Sequence, residues 1–575
     1  MRLEDYWGVG PKTATLLETE LGGEAAVAAI EASDVRALVD AGVPRGRATR
    51  ILRRAHGGER LGLLATPDAR AVYKDLLSLA AGHAVTRDAA DRIRVLTPLP
   101  DVEAMAERLD DVADARASWT ALDDADRETA LALFERYDDR TDDDRAAADV
   151  AASLLDAGLD EGVFAPLSTL DAAALDEAAT ALGDLTADGV RDGADATLDG
   201  LRAARDDVAD LAAAPGEVVD AVGAGARGTG EFREAFRRYV TDETAVDAAD
   251  LAAAMPEEAH DAAAFVSETL RALADEYAAR AAEHERAVRE DREAAVERAR
   301  ADVDAARTAI ERLAVEVSLA RFADAYDLTR PTFAADGLAV EGARNLSLLA
   351  SGTDVQPVTY AVGEHDLSAP TGDRVAVLTG ANSGGKTTLL ETLCQVSLLA
   401  QMGLPVPADR AVVGVVDSVV FHRRHASFNA GVLESTLRSV VPPLAESDRT
   451  LMLVDEFEAI TEPGSAADLL HGLVTLTVDR GALGVYVTHL AADLEPLPGA
   501  ARVDGIFAEG LDADLALLVD YQPRFGTVGR STPEFIVSRL LARAEGGERA
   551  AYRALAEAVG HEAVQRTLDD ARWAP

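Results

Sequence analysis

The 575-residue sequence contains one cysteine, Cys394, and only three lysines, Lys12, Lys74 and Lys386, beside 53 arginines. A single thiol excludes an intramolecular disulfide framework and a cysteine-rich zinc site. No run of about 18 uncharged apolar residues occurs, so a membrane-spanning helix is not expected. The first residues, Met1-Arg2-Leu3-Glu4-Asp5, lack the apolar core of a signal peptide. The expectation is a soluble, cytoplasmic protein. With 48% apolar residues and a mean hydropathy near zero, the chain can bury cores and is not intrinsically disordered. The length suits several domains.

What is abundant is negative charge. Asp and Glu number 102 against 56 Lys and Arg, a formal net charge of −46. The acids are spread along most of the chain rather than gathered in a tail. Low lysine with excess carboxylate resembles the surface style of salt-accumulating halophiles. Such a background opposes non-specific contact with nucleic acid, so any such contact must come from local basic islands.

One island is near the start. Residues 1–56 hold two similar halves: Gly8-Val9-Gly10-Pro11-Lys12 before an apolar helical run, and Gly42-Val43-Pro44-Arg45-Gly46-Arg47 before another. A Gly-apolar-Gly turn opening a helix presents backbone N–H groups at a positive helix end, which suits a phosphate. Residues 41–58 carry no acid but hold Arg45, Arg47, Arg50, Arg53 and Arg54. The pattern resembles a tandem helix–hairpin–helix DNA-binding module. Its DNA-contact candidates are Gly8, Gly10, Lys12, Gly42, Arg45, Gly46, Arg47 and Arg50; a packing unit with a solvated arginine face is the alternative.

Residues 57–334 read as mainly helical. A Gly-rich break is expected at 215–230, followed by an aromatic and arginine cluster, Phe232 to Tyr239. Residues 262–326 contain no Gly or Pro and read as one long helix. Within it Val296, Val303, Ile310 and Val317, with Ala299, Ala306, Leu313 and Ala320 three residues on, form an apolar stripe that calls for a partner helix. Two helical arms joined by an excursion suggest a lever that runs out to a tip and back. Arg227, Arg233, Arg237 and Arg238 near that tip are phosphate-contact candidates, or simply a solvated face.

From about 335 to 545, strand-like runs alternate with helices, implying an α/β domain with a buried sheet. A helical tail, 546–575, is expected to follow. Gly380-Ala-Asn-Ser-Gly-Gly-Lys-Thr387 matches G-x-x-x-x-G-K-[ST] between an apolar strand and a helix, the context a phosphate-binding loop requires. Its glycines let backbone N–H groups wrap the phosphates. Lys386 reaches the β- and γ-phosphates, and Thr387 places its hydroxyl on magnesium. The apolar run Thr450 to Val454 delivers Asp455 and Glu456 at a strand end. Asp455 is the second magnesium candidate, and Glu456 the residue that polarises the attacking water. Thr488-His489 ends a further strand, where His489 could sense the γ-phosphate.

These motifs, in this order, resemble the MutS family of DNA-binding ATPases. The matching stretches over 308–541 are Arg330-Pro331, Thr379 to Thr387, Leu399-Ala-Gln-Met-Gly403, Val406-Pro-Ala408, Ala426-Ser-Phe428, Asp455-Glu456, Thr488-His489 and Gly526-x-x-Gly529-x-Ser531. The resemblance implies an α/β P-loop ATPase domain of MutS/ABC-like fold and a long all-α core, lever and clamp, beside the small all-α N-terminal module. It implies bound ATP and magnesium, with Gly380, Asn382, Gly384, Gly385, Lys386, Thr387 and Thr388 on the nucleotide. Ser427 and Phe428 would act in trans across a homodimer. Levers would close around duplex or branched DNA under control of ATP, in repair or recombination. The family's Gly-rich stretch after the Asp-Glu pair is replaced by Phe457 to Pro463, and the mismatch-reading domain by the N-terminal hairpins. Both departures point to the non-mismatch branch. Structured RNA or ribosomes are the alternative target. A chromosome-clamp or transporter ATPase would need a Leu-Ser-Gly-Gly signature, and none precedes Asp455.

Overall fold

Helix starts in this chain are set largely by aspartate. Asp34, Asp101, Asp171, Asp195, Asp247 and Asp261 each cap a helix by accepting a backbone N–H two or three residues on. Part of the acidity thus has a local duty at positive helix ends. The structure, a computed structural model, describes residues 2–139, 143–224, 227–380, 385–424, 430–447, 449–460, 463–511, 515, 517–529, 533–559 and 564. It divides into two compact units, Met1–Arg127 with Glu311–Pro575, and Glu128–Ile310.

Four helices fill the N-terminal segment: α1 (Pro11–Glu20), α2 (Gly23–Glu31), α3 (Val35–Asp40) and α4 (Arg45–Gly57). Leu17, Ile30, Leu38, Ile51 and Leu52 share one core. Gly8 and Gly42 stand at φ +85° and +89°, in the left-handed region open to glycine. They turn the chain into α1 and α4, while Val9 and Val43 are buried beneath the turns. Next come α5 (Pro67–Ala81), α6 (Arg87–Arg94) and α7 (Val102–Ala121).

The second unit is helical: α8 (Asp124–Asp138), α9 (Asp143–Asp156), α10 (Ala172–Asp184), α11 (Ala196–Ala213), α12 (Pro215–Gly223), α13 (Thr229–Glu243), α14 (Ala248–Ala254), α15 (Ala262–Arg298) and the first part of α16 (Arg300–Ala325). Helices α11 and α15 run antiparallel, out and back. Arg202 bonds Glu285 and Asp195 contacts His284 at one end, and Val208 shares a core with Leu270 toward the other. Two expectations change here. The first half of the Gly-rich break is helix α12, because Pro215 suits a first helical position and Val218 and Val222, one turn apart, are both buried. The long helix is interrupted at Ala299. The eight residues of its apolar stripe are all buried, as their spacing requires.

The α/β part contains two sheets. The smaller has the order β1-β5-β2-β3, from β1 (Thr332–Ala334), β2 (Leu338–Ala343), β3 (Val358–Val362) and β5 (Arg410–Gly414). The larger has the order β10-β9-β4-β8-β7-β6, from β4 (Val375–Gly380), β6 (Ser418–His422), β7 (Thr450–Asp455), β8 (Leu483–Val487), β9 (Ala501–Leu511) and β10 (Leu517–Phe525). Strands β4, β6, β7, β8 and β9 are parallel to their neighbours, and β10 closes one edge antiparallel to β9. Between them lie α17 (Leu346–Ala350), α18 (Lys386–Gln401), α19 (Ala430–Glu446) and α20 (Pro463–Asp479), and after β10 come α21 (Pro533–Arg543) and α22 (Gly546–Val559). Every described residue of β4 and β7 is buried, which explains their unbroken apolar texture.

The edge strand β6 is covered from a distant part of the chain. Leu64 bridges Val419 in parallel, and Ala65 N–H donates to the Val419 carbonyl. Thr66, itself buried, donates from Oγ1 to the Phe421 carbonyl at 2.6 Å, accepts from Phe421 N–H at 3.1 Å, and caps α5. Consequently α5 packs on the sheet: Leu76 and Leu77 share a core with Leu390, Val419 and Leu453. This stretch, placed by its helical texture with the core and lever, is a layer of the α/β domain. Thr66→Val removes the hydroxyl on which both Phe421 backbone groups depend. It is expected to cost about 1–3 kcal/mol, since buried polar groups lose their partner. Thermal unfolding should show a lower midpoint for Thr66→Val and a near-wild-type midpoint for Thr66→Ser.

Candidate nucleotide site

Strand order brings the three nucleotide motifs to one edge. In the parallel register Leu378 lies beside Val487, and Val487 beside Asp455. The residues that follow these strand ends therefore emerge together at the carboxyl side of the sheet, where open α/β sheets bind ligands. A cavity of about 420 Å³ opens there, lined by Gly385, Lys386, Thr387, Thr388 and Glu456.

Gly385 stands at φ +73° and starts α18, so the turn into the helix uses the left-handed region. Lys386 is buried, and its Nζ donates to the Gly380 carbonyl at 2.8 Å. Burial lowers its pKa, while Glu456, Asp455 and Glu458 pull the other way. Thr387 Oγ1 donates to Asp455 Oδ2 at 2.6 Å. The other oxygen, Oδ1, is buried without a hydrogen-bond partner, and burial raises the Asp455 pKa. A buried carboxylate oxygen left over beside a threonine hydroxyl fits a divalent cation. Magnesium takes one or two protein ligands and fills its shell with phosphate and water.

Glu456 stands at φ +41°, a strained conformation for a residue with a side chain. Two groups hold its carboxylate: Arg424 at 2.6 Å and His489 Nε2 at 3.1 Å. Glu458 accepts from Thr488 Oγ1 at 2.8 Å and from His489 N–H at 2.6 Å. Asn382, Gly384, Ser427 and Phe428 lie outside the described residues. The others, Gly380, Gly385, Lys386, Thr387, Thr388, Asp455, Glu456 and His489, are brought to one place.

Comparison with known proteins agrees with this geometry. Residues 376–459 match the family model for MutS domain V. Over this stretch the chain is similar to the MutS family. It is 43% identical over 226 residues to the DNA-binding protein MutS2 of Pyrococcus furiosus, covering 39% of this chain and 40% of the relative. It is 32% identical over 208 residues to the Endonuclease MutS2 of Thermus thermophilus, covering 35% and 27%. It is also 31% identical over 210 residues to the DNA mismatch repair protein MutS of Natronomonas pharaonis, covering 36% and 23%. The match spans at most 40% of the length of these relatives. Among the described residues no helix is long and apolar enough to cross a membrane.

Several parts of the α/β domain have no signal in the motifs. Asn345 and Tyr521 wall the cavity, and the Tyr521 ring sits where a Cβ on Gly385 would meet it at 2.9 Å. Glu458 and Arg424, outside the motifs, hold His489 and Glu456. The late Gly526-x-x-Gly529 finds its reason in packing. Gly529 N–H donates to Thr379 Oγ1, and a Cβ on Gly529 would crowd Gly380 Cα at 2.9 Å. The buried Asp504 accepts from Gly526 N–H at 3.0 Å and from Tyr360 OH at 2.9 Å, fixing that turn against the end of β4. Sequence alone showed the glycines but not the distant strand they fit.

At the N-terminal hairpins, Gly8, Lys12, Gly42, Gly46, Arg47 and Arg50 are exposed and Gly10 is partly so. Arg47 donates to the Gly8 carbonyl at 3.2 Å, joining the two hairpins. Arg45 instead binds the buried carboxylate of Asp91 at 2.5 Å, and Arg53 donates to the Arg94 carbonyl. These two arginines dock the module onto α6. Near the expected tip, Arg233 bonds the carbonyls of Pro256 and Glu257 and Arg237 pairs with Glu234, while Arg238 is exposed.

Gly380 is at φ +129°, and a Cβ there would overlap the Ile506 carbonyl. Gly380→Ala should therefore displace the end of β4. Its expected effect is loss of nucleotide binding, read by fluorescence of a labelled ATP analogue, with the far-ultraviolet spectrum of the wild type retained.

Proposed function

We propose that the protein is a DNA-dependent ATPase of the MutS family, a homodimeric clamp on duplex or branched DNA whose opening follows ATP binding and hydrolysis. The observation that supports this reading is that Lys386, Thr387 and Glu456 line one cavity while Thr387 bonds Asp455 at the end of a strand two places away. Phosphoryl transfer asks a protein mainly for position and charge, and this constellation supplies both. Lys386 places a desolvated cation where β- and γ-phosphates lie along the loop. Thr387 and Asp455 would hold magnesium, which when bound neutralises developing charge on the phosphates. Glu456 orients the attacking water and accepts its proton, a task for which its carboxylate must leave Arg424 and His489. His489 then reads the γ-phosphate, tied to the sheet by Glu458.

DNA as the partner is supported by the names of the relatives and by the exposed hairpin glycines beside Lys12, Arg47 and Arg50. These offer backbone N–H groups and charge to a phosphate. The two-site pairing, with Ser427 and Phe428 completing the partner's site, follows from the family resemblance. The target is placed in repair or recombination rather than mismatch reading.

The test is ATP turnover in molar potassium chloride, with and without linear and branched DNA. Stimulation by DNA is expected, and no stimulation or binding with either DNA would sink the reading. Lys386→Ala should abolish hydrolysis through lost phosphate neutralisation. Glu456→Ala should retain bound ATP and accumulate the closed dimer, seen by light scattering. Equal release of ATP by the two variants would contradict the assigned roles.

A further inference from the structure

Among the described residues, the large hydrophobic side chains left exposed include only two aromatics, Trp7 at 55% and Tyr521 at 42%. Tyr521 walls the nucleotide cavity, so its exposure has a reason. Trp7 has none in the fold. It precedes Gly8 on the first hairpin, outside the core that holds its neighbours Tyr6 and Val9. Leaving an indole exposed forgoes the hydrophobic stabilisation that its burial would give.

The surroundings state what kind of partner. The Arg54 guanidinium lies over the Trp7 ring, 5.1 Å from its centroid, which holds one face of the indole in place. Arg47, Arg50 and Arg54 follow one another at three and four residues along α4, on one side of the helix. Arg47 reaches back to the Gly8 carbonyl, and a Cβ on Gly8 would meet Ile51 at 3.2 Å, so hairpin and helix are closely packed. Elsewhere arginines are widely paired with carboxylates, but among the described residues Lys12, Arg47, Arg50 and Arg54 have no ion-pair partner. In a chain of net charge −46, a fixed aromatic face bordered by unpaired cations is complementary to an anionic strand carrying a flat base.

We propose that Trp7, held by Arg54, is a stacking platform for an unpaired DNA base, so that the N-terminal hairpins select a junction between single-stranded and duplex DNA over continuous duplex. The inference rests on the DNA reading above and adds the feature of DNA that is chosen. Bases in continuous duplex are stacked on each other and offer no free face to a surface indole. At a junction, the first unpaired base does. Stacking releases no counterions, so this contact persists in salt that strips phosphate contacts away.

The experiment uses the full chain, a labelled blunt duplex, and the same duplex with a single-stranded overhang, followed by fluorescence anisotropy at low and at molar potassium chloride. The wild type is expected to prefer the overhang by about tenfold, the scale of one stacked base. That ratio should hold or grow as salt rises. Trp7→Ala should bring the ratio to one while leaving blunt-duplex affinity and ATP turnover at wild-type values; Trp7→Phe should retain part of the preference. Overhang binding should quench indole emission in the wild type and not in Trp7→Ala. Equal affinity of the wild type for both DNAs, or an unchanged ratio in Trp7→Ala, would overturn this inference alone. Failure of the wild type to bind either DNA would overturn it together with the DNA reading.

Discussion

The candidate site depends on one hydrogen bond, from Thr387 Oγ1 to Asp455 Oδ2. It joins the first turn of α18 to the end of β7, two strands away from β4 with β8 between them. Only a parallel sheet with this order and register places a threonine that follows one strand against a carboxylate that ends another. The bond leaves Asp455 Oδ1 buried and unpartnered, and that leftover capacity is what makes the pair suitable for a cation. The rest of the domain serves to keep the two strand ends level. Gly529 wedges against Gly380, Asp504 ties the 526 turn, and residues 64–66 complete the far edge of the sheet.

What was legible in the sequence was chemistry carried by short spacings. The phosphate loop and the Asp455-Glu456 pair could be placed because a phosphate fixes the residues within one turn of chain. The buried strands could be placed because a strand covered on both faces is apolar throughout. Less legible was whatever depends on a partner far along the chain. Arg45, a candidate DNA contact, also pairs with Asp91, 46 residues on. Thr66, which caps α5, also satisfies Phe421, 355 residues away. Composition misled at 215–230, where glycine content suggested a break and the spacing of Val218 and Val222 prevailed. Arg424, Glu458 and Tyr521 belong to the same class: single residues outside any motif, assembled by topology.

The acidity takes on two meanings. Aspartates at helix starts are structural, each satisfying N–H groups that would otherwise lack partners. The remaining carboxylates are a background on which the cations of the hairpin face, Lys12, Arg47, Arg50 and Arg54, stand out. A protein with such a surface in concentrated salt gains little from long-range attraction to DNA, because screening falls within a few ångströms. Grip must then come from closure around the strand, from backbone donors, or from stacking.

Thr387 and Asp455 are proposed to form a magnesium-dependent nucleotide site. Calorimetric titration of ATP, with magnesium and with a chelator, tests it most directly on the wild type and on Asp455→Asn. Magnesium is expected to tighten ATP binding to the wild type, and this gain is expected to vanish in Asp455→Asn, while binding without magnesium is similar in both. An undiminished magnesium gain in Asp455→Asn would contradict it.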